Sequence, residues 1–212
     1  MTEFTTWRSL VDGDEISDIP DDPILRPESN DLDNFDGDLD NFSIEDSPTL
    51  TQDLVVRGDE PRDEFAYSTS GLDVYPESGQ KFAWYHRATS VLGSLFFGVQ
   101  DSDPTNNYVL YANDFELYKD GEEDGGRDGS LLDSGDDSEL VEDEWFEFEV
   151  TWRNDGIDID AYEIDQSTGD RGNKIATLSS SDTDYQEGGI GFGFPDTSGE
   201  IFYQDIRVTE AI

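Results

Sequence analysis

Glu144-Trp145-Phe146-Glu147-Phe148-Glu149-Val150-Thr151-Trp152 decides how the rest of the chain is read. From Phe146 onward, large apolar side chains alternate with Glu and Thr at a period of two, the pattern of a strand with one buried and one solvated face. Asn154-Asp155-Gly156 supplies turn chemistry. Ile157, Ile159 and Ala161 then resume the apolar face, while Asp158, Asp160 and Tyr162 take the other. The segment predicts an antiparallel hairpin whose Phe146, Phe148, Val150, Trp152, Ile157 and Ile159 face a core.

Working outward, runs of the same kind recur at 50–57, 64–68, 71–75, 80–88, 93–100, 107–112, 114–119, 173–179, 188–194 and 201–208. Gly, Asp, Asn and Pro clusters separate them, and no amphipathic helical stretch lies between. About a dozen short strands predict an all-β antiparallel sandwich or barrel. The same parity places Ile190, Phe192, Ile206 and Val208 in the core. The stretch 120–144, glycine-rich and acidic, is expected to be a long solvated loop region.

Residues 1–31 differ. Pro20, Pro23 and Pro27 rule out long helices beyond about residue 19. Before them, Phe4, Trp7, Leu10 and Val11 include helical spacings, followed by Ile16 and Ile19. The expected organisation is an N-terminal anchoring extension, 1–31, before a β-sandwich domain, 32–212. Phe4, Trp7 and Leu10 are the expected anchors on a partner, with docking on the chain's own sandwich or a solvated tail as alternatives.

Composition sets limits. The chain has 212 residues, 33% hydrophobic and 12% aromatic, with a net charge of −41. Disorder depletes aromatics first, so their persistence indicates a real core under an acidic surface. A body of this mass exposes roughly 10,000 Å², which leaves about one net negative charge per 240 Å². Repulsion at that density weakens as the Debye length shrinks from about 8 Å at physiological salt to about 3 Å at 1 M. Many acids, few lysines and no cysteine together resemble proteins of halophilic archaea or their viruses. Nucleic acid is excluded as a partner, because phosphate binding needs a basic surface. The absence of cysteine excludes disulfides and thiolate chemistry. No apolar run is long enough for membrane insertion, and the first residues carry no pattern of a secretory leader.

Three segments resemble the concanavalin A-like/laminin G-like jelly rolls found in structural proteins of haloarchaeal viruses. They are Leu32-Asp33-Asn34-Phe35-Asp36-Gly37-Asp38-Leu39, the hairpin from Glu144, and Tyr185-Gln186-Glu187-Gly188-Gly189-Ile190-Gly191-Phe192 with Tyr203-Gln204-Asp205-Ile206-Arg207-Val208. The resemblance covers residues 32–212. It implies a jelly-roll sandwich and a structural calcium ion between first and last strands, held by Asp36 and Asp205 with backbone carbonyls. Capping of Asp205 by backbone amides without a metal is the alternative.

Other constellations carry less chemistry. Asp36-Gly37-Asp38-Leu39-Asp40 and the run Asp120, Glu122, Asp124 and Gly125 imitate calcium loops. The first lacks the turn glycine, and Leu131 in the second stands where a bidentate Glu belongs. Asp158-Ile159-Asp160-Ala161-Tyr162-Glu163 resembles the Glu-x-Asp-x-x-Glu strand of laminarinase-like glycosidases. Its first acid is one carbon short, and Asp158 and Glu163 fall on opposite faces of an unbulged strand. In a chain this acidic, three acids at fixed spacing arise by chance about three times. The single histidine, His86, shares a face with Phe82, Trp84 and Ala88; this face is expected in the core, with sugar stacking as the alternative.

The expected function is a non-enzymatic structural or host-recognition component of a halophilic archaeal virion, forming homo-oligomers and contacting cell-surface glycan. The alternatives are a soluble carbohydrate-binding, lectin-like module and, after it, a laminarinase-like glycosidase.

Overall fold

The hairpin predicted from residue 146 forms as read. In the computed structural model it is an uninterrupted antiparallel ladder from Phe146↔Glu163 to Arg153↔Gly156. Gly156 has φ +154°, and a side chain there would run into the Ser180 carbonyl of the next strand, so both the turn and that close approach demand glycine. The structure describes residues 35–37, 42–46, 54–58, 64–68, 76–89, 93–102, 105–112, 114–121, 129–194 and 200–212. For 42–46, 54–58, Glu64, Phe194, Asp205, Glu210 and Ala211 it describes the backbone alone. The expected strand at 71–75 and the extension 1–31 lie outside these residues.

The described strands are β1 (Phe35–Gly37), β2 (Phe42–Asp46), β3 (Leu54–Gly58), β4 (Glu64–Ser68), β5 (Gln80–Ala88), β6 (Ser94–Val99) and β7 (Tyr108–Tyr111). Then follow β8 (Glu116–Lys119), β9 (Ser130–Ser134), β10 (Phe146–Arg153), β11 (Gly156–Ile164), β12 (Arg171–Ser180), β13 (Gly189–Phe194) and β14 (Ile201–Ala211). They form two seven-stranded sheets: sheet I, ordered β1-β4-β13-β6-β7-β8-β9, and sheet II, ordered β12-β11-β10-β5-β14-β3-β2. All the pairings are antiparallel, and no helix occurs among the described residues.

The layer between the sheets is the predicted one. Phe146, Phe148, Val150, Trp152, Ile157, Ile159, Ile190, Phe192, Ile206 and Val208 are all buried there. Aromatic pairs knit the two sheets: Trp152 meets Phe97 edge-on at 5.3 Å, and on sheet II Trp84 stacks on Phe148 at 5.3 Å. The Tyr203 hydroxyl crosses the gap and donates to the Ser94 carbonyl at 2.8 Å. β14 keeps both ends of its apolar set inside by a register shift between Gln204 and Arg207. Ile201 and Tyr203 face the core before it, Ile206 and Val208 after it, so the bulge absorbs the one-residue change of parity.

One expectation needs correction. The stretch 120–144 is not loop throughout, because β9 pairs with β8 inside it through Tyr118↔Leu131 and Lys119↔Ser130. Its sequence, Ser-Leu-Leu-Asp-Ser, lies on a solvated sheet edge and therefore lacks a clean alternation. A polar cluster ties the 181–188 segment to sheet I beside it. The Tyr108 hydroxyl donates to Asp182 at 2.6 Å, Lys119 bridges Asp182 (3.2 Å) and Asp184 (2.5 Å), and the Tyr185 hydroxyl donates to Asp120. Burial pushes the Tyr108 phenol well above its usual range, and its bond to Asp182 adds to the shift.

Candidate functional site: the outward face of sheet II

Alternation that sends Phe82, Trp84, Phe148 and Ile159 inward sends their neighbours outward. Strand register then aligns these neighbours into rows. One row runs Lys174, Tyr162, Glu147, Tyr85 and Gln204 across β12, β11, β10, β5 and β14. The next runs Thr177, Asp160, Glu149, Ala83 and Arg207. Among the described side chains, six cations stand on this face: Lys81, Arg87, Arg153, Arg171, Lys174 and Arg207. Arg153, Arg171, Lys174 and Arg207 meet the strand carboxylates Glu147, Glu149, Asp158 and Asp160, and Arg87 meets Asp143, so in a protein of charge −41 the described side chains of this face come near local neutrality.

Glu147 is the centre. Its side chain is 2% exposed and clasped on both oxygens: Arg171 Nε donates at 2.6 Å, and the Arg207 guanidinium donates to the other oxygen. Arg171 also reaches Glu149 at 3.1 Å. Each guanidinium lies over a tyrosine flanking Glu147 in its row, Arg171 over Tyr162 at 4.2 Å and Arg207 over Tyr85 at 4.9 Å. Buried charge is tolerated only when paired and hydrogen-bonded, and here both conditions hold. Around this centre, Lys174 and the Thr177 hydroxyl hold Asp160 at 3.2 and 2.7 Å, and Arg153 and the Ser179 hydroxyl hold Asp158. One end of the face is apolar: Tyr85, Trp145, Ile164 and Phe202 form a small buried cluster, with Arg87 over Phe202 at 5.3 Å. Gln166 brackets Trp145, accepting from its backbone N–H and donating to its carbonyl, each at 3.0 Å.

The arrangement offers fixed donors and acceptors beside partly exposed tyrosine, which suits binding polar, hydroxyl-rich ligands. It suits acid–base hydrolysis poorly. Asp158 and Asp160 do share the outward face, but Glu163 pairs opposite Phe146 on the other parity, accepting from Asn173 at 3.1 Å. A general acid needs a raised pKa. The Asp158 carboxyl is instead held below its usual range by Arg153, against the upward push of burial and with help from Ser179.

The other expected residues fall elsewhere. His86 is in the core, edge-on to Phe148 at 5.7 Å and Tyr203 at 5.4 Å, beside the equally buried Trp84. Asp36 is exposed on β1, the edge strand of sheet I, where its carboxylate accepts the Gly37 N–H at 2.9 Å. Asp205 belongs to β14, between β5 and β3 of sheet II. The two acids expected to hold calcium thus stand on strands of different sheets. Among the described residues no three His, Cys, Asp or Glu gather to hold a metal ion. Phe4, Trp7 and Leu10 lie outside the described residues. The Glu147 centre escaped the sequence reading because Arg171 and Arg207 reach it only through strand pairing. A single signal pointed to it: glutamates at 147 and 149 outward on the most regular strand of the chain.

No protein-family model matches the chain, and no curated protein matches it in sequence. Solved structures match it in fold. A Bacillus subtilis protein with a galectin-like fold is 14% identical, with 88% of this chain and 93% of that one covered and a TM-score of 0.56. A candidate glycosyl hydrolase from Parabacteroides distasonis is 12% identical over 89% and 98%, with a TM-score of 0.56. The carbohydrate-binding module CBM66 of Bacillus subtilis is 16% identical over 84% and 96%, with a TM-score of 0.53. None of the three is described as a virion component. At such identities the likeness establishes the galectin-like, jelly-roll sandwich and leaves the function to the site.

Proposed function

We propose that the chain is a non-enzymatic, lectin-like carbohydrate-binding module that takes a neutral glycan on the outward face of sheet II. The Glu147 centre carries this reading. A carboxylate locked between two guanidinium groups, each seated on a tyrosine, presents a rigid plane of donors and acceptors to which vicinal hydroxyls can bond without ordering any side chain. Tyr162 offers part of a ring face, against which a sugar's C–H groups can pack. The near-neutral face also favours an uncharged ligand, since the remaining surface repels polyanions. The fold supports the reading through its likeness to a carbohydrate-binding module. Hydrolysis is disfavoured by the lowered Asp158 and by the occupation of Asp160. The reading requires no calcium.

Glycan-array screening followed by titration calorimetry in molar KCl tests it. Binding to neutral oligosaccharides is expected, weakened roughly tenfold or more by Tyr162→Ala, with no reducing ends released on prolonged incubation. Silence across the array, or binding indifferent to Tyr162→Ala, overturns it.

A further inference from the structure

The outward face of sheet II opens towards its β12 edge. The Glu147 side chain is sealed at the centre, whereas Asp158 is 33% and Lys174 50% exposed. The polar groups of this face that meet solvent thus concentrate on β11 and β12, and there they form two units. Strand pairing sets Asp158 opposite Ser179 and Asp160 opposite Thr177. In the first unit the Ser179 hydroxyl donates to Asp158 Oδ1 at 2.8 Å and Arg153 donates to Oδ2. In the second the Thr177 hydroxyl donates to Asp160 Oδ1 at 2.7 Å, and Lys174 Nζ reaches both oxygens at 3.2 Å. Each unit sets a carboxylate, a hydroxyl and a cation side by side, and two residues of strand put the units about 7 Å apart.

The second unit exists because β12 departs from regularity. Thr177 and Lys174 are three residues apart, so on an unbroken strand they would face opposite ways. Between them Ala176 is buried and Ile175 packs against the inter-sheet core, so two successive side chains turn inward. The register shift between Ala161 and Tyr162 absorbs the extra residue and returns Lys174 to the outward face, opposite Tyr162. The units also differ in what they leave free, since a carboxylate has about four lone-pair sites. Among the described residues Asp158 accepts from Ser179 and Arg153 and keeps the remaining sites. Asp160 accepts from Thr177, from Lys174 on both oxygens and from the Tyr162 hydroxyl at 3.4 Å, which fills it. Over the second unit a ligand meets instead the Lys174 ammonium and the Thr177 and Tyr162 hydroxyl oxygens, whose hydrogens are given to Asp160.

We propose that the two units are adjacent subsites for an oligosaccharide lying along β11, one sugar donating hydroxyls to Asp158 and the next accepting from Lys174. On the reading of this face as a glycan site, on which this rests, Glu147 holds the plane. Asp158 and Lys174 then select a chain of at least two sugars over a single one.

Calorimetric titration of the full-length chain in molar KCl with homologous sugars tests this. The probes are glucose with maltose and maltotriose, glucose with cellobiose and cellotriose, and mannose with mannobiose and mannotriose. In a series that binds, the step from one sugar to two should tighten binding roughly tenfold or more, because the second contact becomes intramolecular. Asp158→Ala and Lys174→Ala should each erase that step, bringing the disaccharide to within about twofold of the monosaccharide. A merely structural loss would instead weaken both lengths alike. Binding with no dependence on chain length, or a dependence that survives both substitutions, overturns the subsites; the glycan face itself still stands if Tyr162→Ala weakens that binding. Silence at every length overturns the subsites as well, and the glycan array alone then decides the reading of the face.

Discussion

The two outward faces of this sandwich are built on the same alternation and end with opposite chemistry. On sheet I, the outward positions are Phe65, Phe96, Val109 and Tyr111, nearly free of charge and sealed from water. On sheet II they are Glu147, Glu149, Asp158, Asp160 and the cations that hold them. Glycine is the deciding residue on the first. Side chains at Gly191 and Gly193 would collide with the Phe65 and Phe96 rings, which meet edge-on at 5.0 Å over the bare strand. On the second, arginine decides, since only a planar fork can serve a carboxylate edge and lie flat on a tyrosine at once. An outward face thus need not be a solvated one, and period-two patterning alone does not tell the two apart.

The sharpest way to break the comparison is to remove a ring from the sealed face. Phe96→Ala should cost about 3 to 5 kcal/mol, as for a residue in the inter-sheet core, with little dependence on salt. Denaturant unfolding measures this, and a cost below about 1 kcal/mol would mean that the face is only nominally buried. Next, Glu147→Ala on the ionic face leaves two guanidinium groups sharing no carboxylate at their centre. About 2 to 3 kcal/mol should be lost, less than for a fully buried triad because Arg171 is itself partly exposed.

Alkali probes the tyrosines of the interior and the sheet edge. Burial raises the Tyr203 and Tyr185 phenols, as it does Tyr108, with Asp120 adding to Tyr185. Groups whose folded pKa lies above the unfolded one stabilise fully below the unfolded value, near 10, and lose that contribution as pH rises past it. Melting temperature should therefore fall from about pH 10 upward, before any of the three phenols ionises in the fold. Ultraviolet titration showing them ionising at the ordinary value would contradict the burial. The smallest effect belongs to the rim of the ionic face. Lys174→Ala should cost no more than about 0.5 kcal/mol at low salt and nothing in molar KCl, while the whole protein gains stability over the same salt range by screening of its net charge. A melting temperature flat across that range would remove the case for salt adaptation.

Local sequence carried most of the fold. The 146–161 hairpin and its core residues could be read because large apolar side chains alternate there with polar or charged ones, and the same parity carried over to Ile190, Phe192, Ile206 and Val208. β9 was hidden because an edge strand in solvent needs no such contrast. The candidate site was hardly legible. Glu147 could be placed outward by parity, but Arg171 and Arg207 are 24 and 60 residues away in sequence, and only the order of strands in sheet II brings them to it. The sealed face of sheet I was invisible for the same reason: Phe65 and Phe96 meet over Gly191 and Gly193, strands far apart in the chain.

The local neutrality of sheet II also makes the molecule a patchy colloid. Two copies approaching at random repel over most orientations, but least when these faces meet. Lowering the salt should then not simply disperse the protein; it should narrow the range of encounter angles, so that whatever weak self-association survives is directional. Light scattering would register that as a second virial coefficient less positive than a uniformly charged sphere of the same net charge would give.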